Sequence, residues 1–194
     1  MAEKEIKRGI AFCVSRDRMK DRNLSYIVDG WFRVYGETGD GRDVVTMRRE
    51  QACVTRLCLE ANVGRQRAQK AVDEMFSRGE LREVDGFMQV DRVPGVPFVS
   101  IPFYTARKAI AQLDERRMRC WLWAINRLGQ AELHGKSTCT VYPVWLTRDL
   151  GLADANENTR NVKRAMDDLR EKGLVKIKES GRAWEILEAK KVWR

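Results

Sequence analysis

Apolar residues recur at helical spacing in a basic stretch that begins at residue 65, and the same pattern returns from residue 159. Each stretch would form a helix with one apolar face and would end at a glycine, a residue common at helix C-caps. Gly79 and Gly173 are these two glycines, and a strand-like run follows each of them. The matched apolar positions are Ala68, Ala71, Val72 and Met75 in the first stretch and Val162, Ala165, Met166 and Leu169 in the second. Two copies so far apart indicate a duplicated domain and not a short-period repeat array.

The surrounding pattern predicts the other elements of the first half. Apolar residues from Tyr26 to Tyr35 recur at helical spacing, and Asp85-Gly86 is a pair typical of a two-residue hairpin turn. Cys53, Leu57 and Cys58 are predicted to face inward on a second helix. The predicted order is a helix over 24–37, a strand over 43–47, a helix over 49–62, a turn at Gly64, the helix from residue 65 and a hairpin over 80–91.

The second half repeats this order after one additional short helix, predicted over 105–113. Asp114 is a typical N-cap residue for a helix over 114–130, on which Trp121 fits the apolar face. Trp123 is two residues further on and faces another way, so it packs elsewhere in the core or lies at a domain or subunit interface. The following predicted elements are a strand over 138–144, a helix over 144–153, the helix from residue 159 and a hairpin over 174–188 around Ser180-Gly181.

A cluster of prolines separates the two halves. Pro94, Pro97 and Pro102 lie close together, and proline lacks a backbone donor and fixes φ, so this segment is predicted to be an extended joint. The predicted division is a basic tail over 1–23, a first domain over 24–92, a Pro-rich linker over 93–104 and a second domain over 105–194. The predicted fold class is mainly α with small β-hairpins, that is, α+β.

Charge changes this picture because it is uneven. The formal net charge is +9, and residues 24–92 carry 11 basic and 12 acidic side chains against 19 and 12 in residues 93–194. A basic protein often binds nucleic acid, although a merely well-solvated surface is the alternative. The sequence has neither a signal-peptide pattern nor an apolar run of the roughly 18 residues that span a membrane. We therefore expect a cytoplasmic protein that binds no membrane.

The five cysteines give no sign of a metal site or a disulfide framework. They are odd in number, contain no Cys-x-x-Cys pair and are accompanied by a single histidine, His134. Phosphate-binding glycine loops are also absent. We predict reduced thiols, no cofactor, no metal and no catalytic residue, with a cysteine nucleophile activated by His134 as the alternative.

The segments 55–84 and 146–177 resemble winged-helix domains of the helix-turn-helix superfamily. The resemblance covers residues 24–90 and 105–188, and Gly173-Leu174-Val175 matches the helix-to-wing junction more closely than Gly79-Glu80-Leu81 does. A pair of such domains in one chain is similar to plasmid and phage replication initiators and to some repressors. The resemblance implies binding of double-stranded DNA, in a replication or a transcription-regulating role, by two tandem winged-helix domains.

In such a fold the third helix of each domain would enter the major groove. The side chains turned away from the apolar face include arginine, lysine, asparagine and glutamine, which can pair with base edges and phosphates. The hairpin of the second domain adds three cations that could reach a phosphate or the minor groove. The predicted DNA contacts are Arg65, Gln66, Arg67, Gln69 and Lys70 in the first helix, Arg160, Asn161, Lys163 and Arg164 in the second, and Lys176, Lys178 and Arg182 in the second wing.

Two helices of this kind would read major-groove segments about 10 base pairs apart on one face of the duplex. The basic tail could add a minor-groove arm, with disorder as the alternative. A homodimer or another protein partner is also possible. The competing function is a protein-interaction scaffold, since tandem winged helices also occur in subunits of membrane-remodelling and chromosome-organising complexes, and the near-neutral first half favours it there.

Overall fold

The computed structural model describes residues 9–14, 19–20, 24–38, 44–91, 98–153 and 155–193. This part of the chain contains seven helices and nine strands. The helices are α1 (Ser25–Tyr35), α2 (Val54–Ala61), α3 (Arg65–Ser77), α4 (Phe103–Gln112), α5 (Glu115–Leu133), α6 (Pro143–Asp149) and α7 (Asn156–Glu171). The strands are β1 (Gly9–Cys13), β2 (Glu37–Thr38), β3 (Val44–Arg48), β4 (Leu81–Val84), β5 (Phe87–Asp91), β6 (Phe98–Pro102), β7 (Cys139–Val141), β8 (Val175–Ser180) and β9 (Ala183–Ala189).

The combination of helices and small antiparallel sheets confirms the α+β class. β2, β3, β5 and β4 form one sheet in that order, and β7, β9 and β8 form another. Each sheet follows the same local plan, in which two helices precede a hairpin: α2, α3 and β4-β5 in the first half, α6, α7 and β8-β9 in the second. The predicted order of elements is therefore present in both halves.

The predicted inner faces of α3 and α7 are buried. Their burial is favourable because it removes apolar side chains from water. Ala68, Ala71 and Met75 are buried on α3, and Val72 is half-buried. The four apolar residues predicted for α7 are all buried: Val162, Ala165, Met166 and Leu169. Both glycines that follow these helices have positive φ, as the C-cap prediction requires.

Strand β1 packs the N-terminal segment against the middle of the chain. It pairs antiparallel with β6, from Gly9 opposite Pro102 to Cys13 opposite Phe98. Phe12 is fully buried against Gly30 of α1, where a Cβ atom would lie only 2.7 Å from the phenyl ring and 3.0 Å from Ile110 of α4. Residues 9–13 of the predicted tail are therefore a strand that packs in the core and not a free arm.

The hydrophobic core continues from one half of the chain into the other. Arg119 of α5 is buried, and its guanidinium donates to the carbonyl oxygens of Met19 and Leu150, which belong to different halves. Residues 98–104 of the predicted linker lie in β6 and at the start of α4, while Pro94 and Pro97 lie outside the described residues. The division into two domains stays a prediction. The described part of the predicted linker, residues 98–104, packs in the core.

Several local boundaries differ from the sequence prediction. Helix α2 begins only at Val54, so Cys53 lies at the N-cap and is exposed instead of facing inward. Leu57 is buried as predicted, and Cys58 is half-buried. Helix α6 ends at Asp149, ahead of Gly151, whose φ of 66° does not continue a helix. Both tryptophans of α5 pack in the core: Trp121 is completely buried, and Trp123 is buried with its indole N–H donating to Asp149 at 2.9 Å.

Candidate nucleic-acid interface

Helix α3 follows α2 after a tight turn in which Asn62 has the left-handed conformation, with φ of 50°. Four of the five predicted contacts on α3 lie on one open surface, together with acidic side chains of the same helix. The amide of Gln69 donates to Asp73 at 2.8 Å, and the ammonium of Lys70 lies 3.8 Å from Glu74. These carboxylates offset the positive charge of the surface that α3 presents.

Arg67 is separated from that surface. It is exposed and lines a cleft of about 680 Å³ between the two halves, beside Asn62 and Gly64 of the turn and Asp168 and Glu171 near the end of α7. The structure thus brings Arg65, Gln66, Gln69 and Lys70 together and leaves Arg67 apart from them.

Helix α7 presents a different electrostatic surface. Arg160, Lys163 and Arg164 are exposed in its first nine residues, and Asn161 is half-buried. Within the described part of the chain, none of the three cations forms a salt bridge. All three charges are therefore open to solvent and to an incoming anion.

The acidic pair of α7 is neutralised by arginines. The guanidinium of Arg117 on α5 donates to Asp168 from Nε at 2.7 Å, and Asp167 pairs with Arg170 at 3.0 Å. Partial burial alone would lower the pKa of Arg117, but hydrogen bonds and charges from Asp168 and Asp114 raise it instead. Asp167 and Asp168 consequently subtract little from the positive charge of Arg160, Lys163 and Arg164.

The two hairpins also differ in chemistry. In the second, Lys176 and Lys178 are exposed on β8, and Arg182 is exposed in the two-residue turn between the strands. In the first, Asp85 and Gly86 form the predicted turn, and both have positive φ as a type I′ turn requires. Its tip exposes Val84 and Phe87 instead of cations.

No family model matches the chain, and no curated protein or solved structure shows significant similarity to it. Among the described residues, no helix is long and apolar enough to cross a membrane. The same residues contain no group of histidine, cysteine and carboxylate side chains able to hold a metal ion.

Cys120 and Cys139 lack the features of an activated nucleophile. Burial raises the pKa of Cys120 to about 12, and it also raises the pKa of Cys139, the cysteine nearest to His134 in sequence. A catalytic thiol requires the opposite shift, because the thiolate is the reactive form.

Cys53 is exposed and Cys120 is buried, and this difference in accessibility predicts how each thiol reacts with a labelling reagent. In the native protein near pH 8, exposed Cys53 should react rapidly with a thiol reagent, and buried Cys120 should stay unmodified until the protein is unfolded. Mass spectrometry of labelled peptides measures both sites at once. Rapid native labelling of Cys120 would contradict its placement in the core.

Two exposed aromatic residues in the second half of the chain lie outside the set of contacts that the sequence predicted. Tyr142 and Trp145 flank the start of α6, and their rings are in edge-to-face contact. Helical spacing gave no signal for this exposure, since Tyr142 and buried Leu146 are four residues apart, the spacing of neighbours on one helix face.

Proposed function

We propose that the chain binds double-stranded DNA through two tandem winged-helix units, with α3 and α7 as the recognition helices. The observation that carries this proposal is a group of exposed cations on α7 that form no salt bridge with any described residue: Arg160, Lys163 and Arg164. A helix can enter the major groove and place such side chains against phosphates and base edges. The hairpin cations Lys176, Lys178 and Arg182 supply further phosphate contacts.

The second unit contributes most of the affinity in this proposal, and the first contributes specificity. On α3 the carboxylates Asp73 and Glu74 engage Gln69 and Lys70, so binding there requires those pairs to open. Plasmid or phage replication initiation and transcription regulation both begin with such duplex recognition. Either role is consistent with the proposal.

Protein binding by the first unit is the second candidate. The observation that favours it is the hairpin tip, where Val84 and Phe87 are exposed and face each other across the turn. Apolar side chains at such a tip suit a protein surface better than a phosphate backbone. This function is compatible with DNA binding by the second unit.

The decisive experiment measures binding of the complete chain to mixed duplex DNA fragments over a range of salt concentrations. Six cations of the second unit are predicted contacts, three on α7 and three in the hairpin. If each of them reaches one phosphate, the slope of log K against log salt should be about −5. Affinity should then fall about a thousandfold between 50 and 200 mM salt. Binding that is absent, or that does not change with salt, would contradict the proposal.

A further inference from the structure

Tyr142 and Trp145 form an exposed aromatic pair that the proposed interface does not yet include. Their ring centroids lie 4.6 Å apart with an interplanar angle of 64°. Trp145 is 49% exposed, whereas the other five tryptophans, all described, are buried. The pair is held on a rigid base, because Leu146 and Thr147 of the same helix are fully buried.

The strand register places this pair beside the basic hairpin of the second unit. Val141, the last residue of β7, pairs with Trp184 of β9. The next residue, Tyr142, therefore lies next to Ala183, which adjoins the turn residue Arg182. The aromatic pair and the tip of the hairpin consequently share one end of the three-stranded sheet.

We propose that Tyr142 and Trp145, with Arg182, form a nucleotide-contact site that extends the DNA interface beyond α7 and the hairpin. This inference rests on the proposed function. A nucleotide joins a base with a flat π face to an anionic phosphate, and this end of the sheet carries two aromatic rings and an arginine. Aromatic rings stack on bases or wedge between base steps, while arginine binds the phosphate. The charge of Arg182 favours this occupant over an apolar protein surface.

The test compares duplex DNA binding by the complete wild-type chain with that of Trp145→Ala, Trp145→Phe and Arg182→Ala. Trp145→Ala should bind about tenfold more weakly, with the salt dependence unchanged, because stacking releases no counterions. Trp145→Phe should retain most of the affinity. Arg182→Ala should instead reduce the slope of log K against log salt by about 0.9.

Leu133→Ala is the matched control, since Leu133 is an apolar side chain that is 78% exposed at the end of α5. Its affinity should equal that of the wild type. Trp145 fluorescence provides an independent measurement, because a quencher in solution reaches this indole ahead of the buried ones, and saturating DNA should protect it.

The possible outcomes separate this inference from the function on which it rests. If the wild type binds DNA and Trp145→Ala binds equally well, with no protection of the indole, the aromatic site is overturned and the pair becomes a candidate protein contact. If the wild type binds no DNA, both proposals fail. Thermal unfolding of Trp145→Ala near the wild-type temperature establishes that any loss of affinity is local.

Discussion

The double variant Lys163→Ala/Arg164→Ala is expected to bind duplex DNA about 100-fold more weakly than the wild type. A hydrogen bond to a charged group contributes about 1.5–3 kcal/mol, and each 1.4 kcal/mol is a factor of ten in affinity. Both side chains are exposed and free of salt bridges within the described residues, so their removal should leave the fold intact. The slope of log K against log salt should also fall by about 1.8.

The control for this variant removes the same charge elsewhere. Lys190 and Lys191 are exposed near the C-terminal end of β9, and Lys190→Ala/Lys191→Ala should change affinity only slightly. The corresponding change in the first unit, Arg65→Ala/Lys70→Ala, should have an intermediate effect, because Glu74 already offsets Lys70. Equal losses in all three variants would mean that net charge, and not α7, determines binding.

Trp121→Ala should strongly lower the stability of the fold. The indole is completely buried on α5, and its N–H donates to the carbonyl oxygen of Lys190 at 2.9 Å. Truncating a buried tryptophan costs about 3–5 kcal/mol through lost burial and the remaining cavity. For a chain of this size, that loss corresponds to a decrease in Tm on the order of 10 °C.

Thermal and denaturant unfolding measure this effect directly. Trp145→Ala is the matched comparison, because it removes the same side chain from a half-exposed position and should change the free energy of unfolding far less. Trp121→Phe should recover part of the loss by refilling the cavity. If Trp121→Ala and Trp145→Ala were equally stable, Trp121 could not occupy the core as described.

The elements that the sequence predicted correctly depend on local patterns. Asp85-Gly86 specifies its turn because both residues tolerate positive φ, and Asp114 caps α5 by accepting from the backbone N–H of Arg117 at 2.8 Å. The pairing of β1 with β6 carries no comparable local signal. Pro102 was interpreted as part of a linker, yet it ends an edge strand, a position where a missing donor is tolerated.

The candidate site was predictable only to the level of single helices. Helical spacing identified the exposed faces of α3 and α7, because it requires no knowledge of neighbouring elements. Two features depend on how distant segments pack. One is the position of Arg67 in the cleft beside α7, and the other is the neutralisation of Asp168 by Arg117. Tyr142 was missed for the same reason, since its position beside the hairpin follows from the register of β7 against β9.

The packing of the N-terminal segment has a consequence for how the chain folds during its synthesis. Arg119 and its hydrogen-bond partner Met19 are 100 residues apart, and β1 pairs with β6, which lies at the start of the second half of the chain. Ribosomes add about 5–20 residues per second, so the N-terminal segment waits roughly 5–20 seconds before Arg119 is made. During this interval its apolar surface is open to chaperones and to aggregation. The N-terminal segment therefore completes its packing only once the start of the second half of the chain has been synthesised.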